Sequence, residues 1–92
     1  MSLDIQRQNY IADIHNSISE VELELRNIDR DMKQIDDLID LCKINKMRKF
    51  KKVVKFEKRI ALKKKDWLIF HKKQLVTLLG MAERYAPGKT RG

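Results

Sequence analysis

The chain has 92 residues, 37% of them charged, and a formal net charge of +8. That length allows one domain with a small core, which a second copy or another protein is expected to complete. Three glycines and one proline exclude collagen-like and linker-like chains, and no apolar run approaches the roughly 20 residues of a membrane-spanning helix.

Met1-Ser2-Leu3-Asp4 lacks the positive flank and apolar stretch of a secretion signal, and the lone Cys42 cannot bridge within the chain, so an intracellular, soluble protein is expected. A first helix is predicted over about residues 3–43, with Ser2 or Asp4 as its cap. Apolar residues recur there in steps of three and four: Ile11, Ile14, Ile18, Val21, Leu25, Ile28, Met32, Ile35, Ile39 and Cys42. This unbroken repeat is the signature of a helix with a coiled-coil seam. Ser17 and Glu20 have capping-box spacing, which would suit a break near His15-Asn16, but the apolar phase passes through them unshifted.

A bend is predicted over about residues 44–46, where Asn45 suits a cap or a left-handed conformation and the seam positions become Lys46 and Lys49. A second helix follows over about residues 47–86. Continuing the first helix's register places Val53, Phe56, Ile60, Trp67, Phe70 and Met81 on its seam, with interruptions at Lys63, Gln74 and Thr77. Beside it runs a second stripe of Met47, Phe50, Val54, Ala61, Leu68, Leu75, Leu78, Ala82 and Tyr85. An apolar arc this broad is expected to meet more than one neighbour. Gly80 falls within the final turns of this helix, either as a weak point of about 1 kcal/mol or as a place of close helix approach. Residues 1–86 are thus read as one helical domain, and 87–92, opening with Pro87-Gly88, as a disordered basic tail.

Charge divides the chain sharply. Residues 1–42 hold ten acids and four bases, and residues 43–92 three acids and seventeen bases. A single continuous rod and a hairpin both fit the apolar pattern. Glu22, Glu24, Asp29, Asp31 and Asp36 flank the first seam and would repel one another in a parallel dimer. Folding the chain near residue 44 instead sets Asp36 near Lys52, Asp29 near Arg59 and Glu24 near Lys64, although it also sets Asp31 near Glu57 and Glu22 near Asp66. The predicted fold is therefore all-α: an antiparallel, coiled-coil-like hairpin of two long amphipathic helices, pairing with a second copy into a four-helix bundle. Its assembly core would comprise the ten seam residues of the first helix with Val53, Phe56, Ile60, Trp67 and Phe70.

The feature that points to a partner is basic. Lys51, Lys58, Lys65 and Lys72 recur every seven residues, and Arg48, Lys52, Lys55, Arg59 and Lys73 widen the same side. Such a row suits the phosphates of a nucleic acid without reading bases; equally, it suits an acidic protein surface or plain solvation with salt bridges to the first helix. A membrane surface is disfavoured, because the apolar face that would enter lipid is needed for the bundle. No helix-turn-helix or zinc-finger pattern is present. Trp67, Phe70, Phe56 and Tyr10 could stack on bases, but their helical spacing favours packing; if packed, Trp67→Ala would cost about 3–5 kcal/mol. No enzyme, cofactor or metal is expected. His15 and His71 lack a cluster of further ligands, Cys42 reads as a small hydrophobe, and no glycine-rich phosphate loop occurs. The expected function is a small oligomeric adaptor or regulator with a basic face for an anionic partner. The alternative is a structural protein–protein interaction or scaffolding module with no nucleic-acid binding.

Overall fold

The computed structural model describes residues 3–84. They form two helices, α1 (Leu3–Ile44) and α2 (Arg48–Arg84), folded antiparallel into an elongated hairpin. The molecule measures 70 × 18 × 15 Å, with a radius of gyration of 20.6 Å. A compact domain of this length would have a radius near ~12 Å. The hairpin is therefore a rod whose core is a single line of side chains. The expected Ser2 cap and the tail 87–92 lie outside the described residues.

Local chemistry accounts for most of α1. Asp4 stands in its first turn and Lys43 in its last, each favourable to the helix dipole. Asp4 also receives hydrogen bonds from Arg7 at 3.1 Å and Gln8 at 3.3 Å, tying down the first turns. The helix runs unbroken through His15-Asn16, so Ser17 and Glu20 do not cap a second segment.

The bend is a Schellman stop. The Met47 N–H donates to the Cys42 carbonyl at 2.9 Å and the Lys46 N–H to the Lys43 carbonyl at 3.4 Å. Lys46 carries the left-handed conformation, with φ 56°, while Asn45 closes the helix through its backbone N–H and side-chain amide, both donating to Leu41 O. Of the two roles the sequence offers Asn45, cap or left-handed residue, it takes the first, and the left-handed position falls one residue later, on a lysine.

This turn sets the register of everything beyond it. Among the described residues, three salt bridges cross the hairpin: Asp36–Lys58 at 2.6 Å, Asp29–Lys65 at 2.7 Å and Glu22–Lys72 at 3.0 Å. The expected pairs Asp36–Lys52, Asp29–Arg59 and Glu24–Lys64 do not form; Asp36 and Asp29 each find a partner six residues further along α2. The cause is geometric. α1 continues through Ile44, so the chain reverses about residue 47 rather than 44, and moving a reversal by three residues displaces each cross-pair by twice that.

The shift also changes which face of α2 is inside. Leu68 and Leu75 join Ile14, Val21 and Ile28 in the buried core, with Ile18, Leu25, Met32, Leu79 and Ala82 packed against it. Towards the bend, Ile39, Cys42 and Val54 are buried as well. All ten seam residues of α1 are buried or half-buried. From α2, by contrast, the inward line is Val54, Ala61, Leu68, Leu75 and Ala82, drawn from the stripe beside the extrapolated seam. Met47, Phe50 and Leu78 of that same stripe stay exposed, and Tyr85 lies outside the described residues.

Candidate interaction surfaces

The lysine row lies at the edge of the hairpin's own seam. Lys51, Lys58, Lys65 and Lys72 alternate along α2 with the inward Val54, Ala61, Leu68 and Leu75, and all four are half-buried. Lys58, Lys65 and Lys72 each end on an acid of α1. Their aliphatic stems can cover apolar surface while the ammonium groups emerge beside carboxylates, as long cationic side chains commonly do. These pairs remain partly open to solvent, so each is worth about 0–1 kcal/mol.

The other five cations of the expected anionic-partner face, Arg48, Lys52, Lys55, Arg59 and Lys73, are exposed. Among the described residues, none of the five is held in an ion pair. The basic row foreseen as one surface is therefore two: a paired inner line facing α1, and a free outer set. Arg59 does not reach Asp29, which pairs with Lys65 instead.

A larger departure concerns the aromatic stripe. Val53, Phe56, Ile60, Trp67 and Phe70, which continue the α1 register on paper, are 46–59% exposed. Because α2 restarts after the turn in a different phase, α1 packs on 54/61/68/75. A wheel at about 100° per residue puts the two stripes roughly 120° apart. The aromatic stripe thus points away from α1, runs about 40 Å from Val53 to Met81, and keeps the three-and-four spacing of a helix-packing seam. Trp67 touches one ring, that of His71 one turn on, at 4.9 Å between centroids.

Shallow grooves run where the helices meet. One is bordered by Ile39 and Leu62 with Asp36, Asp40, Lys55 and Arg59; another by Leu25, Ile69 and Val76 with Lys72 and Lys73. Leu62, Ile69 and Val76, spaced by seven, are an apolar edge that sequence reading passes over, since their phase has meaning only once α1's position on α2 is known.

His15 and His71 do not approach. With the observed register, residue 71 lies level with about residue 23, roughly 12 Å along the rod from residue 15. Cys42, at 2% exposure, is the most buried side chain of the seam. No group of three or more metal-binding side chains occurs among the described residues. Nor is either helix long and apolar enough to cross a membrane. No protein family model matches the chain, and neither a curated protein nor a solved structure is significantly similar to it.

Proposed function

We propose that this protein is a non-catalytic helical interaction module, a two-helix rod that assembles with further helices through the outer stripe of α2. One observation carries the reading: Val53, Phe56, Ile60, Trp67 and Phe70 form an apolar line, broken only at Lys63 along its length, that is turned away from α1. Isolated exposed apolar residues are ordinary, but an aromatic-rich line at helical spacing marks a contact surface. Two hairpins joined along this line would make the four-helix bundle foreseen from sequence, the simplest closed form of such a module.

Sedimentation velocity tests it. The 11.0 kDa chain should associate with itself or take up a complementary helix, and Phe70→Asp should abolish either while leaving helicity and unfolding temperature near the parent values. A chain that remains monomeric at all concentrations and binds no helical peptide would end the reading.

A second reading rests on the five outer cations. Arg48, Lys52, Lys55, Arg59 and Lys73 suit non-specific contact with a phosphate backbone, with a steep loss of affinity as salt rises. The commitment of Lys58, Lys65 and Lys72 to α1 weakens this reading, since the regular seven-residue row is no longer free. Anisotropy of a labelled duplex of about 30 base pairs, at low and near-physiological salt, checks it. Charge reversal at Lys52, Arg59 and Lys73 should reduce such binding, whereas no binding even at low salt would exclude it for duplexes.

A further inference from the structure

We infer that the occupant of the α2 outer stripe is an acidic amphipathic helix of another protein rather than a second copy of this chain; this rests on the assembly reading above. The borders of the stripe supply the reason. Positions three or four residues from a stripe residue lie beside it on a helix surface. Such positions hold Lys52, Arg59, Lys64 and Lys73, all exposed, against the two acids Glu57 and Asp66. In a self-paired α2, parallel or antiparallel, two such predominantly basic borders would face each other. Like charges across a helix seam oppose association and opposite ones set partner choice.

The other helix of a second copy is no better suited. The side of α1 turned away from α2 mixes the acids Asp13, Glu20 and Asp37 with the exposed bases Arg26, Arg30 and Lys33, and its exposed large apolar residues in the middle of the rod reduce to Leu23. It has no line of side chains to lay along Phe56, Ile60, Trp67 and Phe70. What fits is a helix with a narrow apolar seam bordered by Glu or Asp. The width of the stripe argues for a helix over a lipid surface: its residues keep to a two-position seam interrupted by Lys63, Gln74 and Thr77, whereas helices that lie in a bilayer interface present a broad apolar arc.

The experiment uses the full chain and three labelled synthetic helices of roughly four heptads. The first has leucine and isoleucine on its seam with glutamate borders. A second keeps that seam with lysine borders, and a third keeps the glutamates but has serine on the seam. Anisotropy and Trp67 emission report binding. The glutamate-bordered apolar helix should bind, shift Trp67 emission to the blue, and lose about tenfold or more in affinity with Trp67→Asp. Replacing Lys52, Arg59, Lys64 and Lys73 by glutamate should move the preference to the lysine-bordered helix, with helicity by circular dichroism confirming that each variant folds.

Equal binding of both apolar helices would overturn the acidic partner while leaving the assembly reading intact. So would Trp67-dependent dimerisation of the chain without peptide uptake. Binding of the serine helix as tightly as the apolar acidic one would reduce the effect to bulk charge and overturn the proposal. A blue shift given only by phosphatidylserine vesicles would assign the stripe to lipid and overturn it too. Failure of every probe, with a monomeric chain, would remove the assembly reading along with it.

Discussion

The two long faces of α2 differ in a way that inverts the usual relation between burial and polarity. The face against α1 alternates small or aliphatic residues with lysines, at Val54, Lys58, Ala61, Lys65, Leu68, Lys72 and Leu75. The face turned outward has two phenylalanines and the only tryptophan. A helix buries its most apolar side wherever it has the choice, because burial is worth about 25 cal/mol per Å² of apolar surface. α1 nonetheless takes the lysine-bearing side: the hydrogen bonds of the turn set the phase in which α2 restarts, and three of those lysines meet an acid of α1 there. The outer face is left as surplus apolar surface, which is why function is sought there.

The sharpest way to break this comparison is to cut one residue from each face. Leu68 is 3% exposed and its neighbour Trp67 59%. Leu68→Ala should cost about 2–5 kcal/mol in chemical unfolding, since it empties the core beside Ile14, Val21 and Ile28. Trp67→Ala, in monomer at low concentration, should cost under ~1 kcal/mol, a reversal of the large loss expected if Trp67 were a packed residue of the hairpin. Similar losses at both positions would mean that the two faces are equally buried in solution.

The lysines on the inner face give the next test. Replacing Lys58, Lys65 and Lys72 together with leucine forfeits three surface-type ion pairs but gains partly buried apolar area, and should stabilise the hairpin by roughly 1–3 kcal/mol. A destabilised triple variant would show that the ion pairs, not the thin apolar line, hold the helices in register.

Smaller effects belong to the backbone. Gly80 has open space where a Cβ would stand, so Gly80→Ala should raise stability by about 1 kcal/mol, and close helix packing within the hairpin is not its role. Lys46→Gly should add about 1 kcal/mol by relieving the left-handed residue of the bend. Least of all, Asp29→Asn should cost about 0.2–1 kcal/mol, with the difference from the parent vanishing at high salt. Differential scanning calorimetry across salt concentrations reads all three.

The sequence by itself determined two helical stretches and the seam of α1, and it favoured a hairpin without fixing one. Ten apolar residues in unbroken three-and-four phase admit one helix and one buried face, and the opposed charges of the two halves favour folding back over a straight rod. It also marked α2 as too broadly apolar for one neighbour. Only the tertiary structure decided which part of that arc α1 would cover. The choice depends on where the helix gives way to the Schellman turn, which Lys46 shows to lie beyond the most suggestive residue, Asn45. A displacement of the reversal by three residues moves every cross-pair by six and turns α2 so that the lysine row goes inward and Trp67 outward. Helical periodicity is a local property and survives extrapolation within an element; phase across a turn is set by the turn's own hydrogen bonds, so it is legible only once those are known.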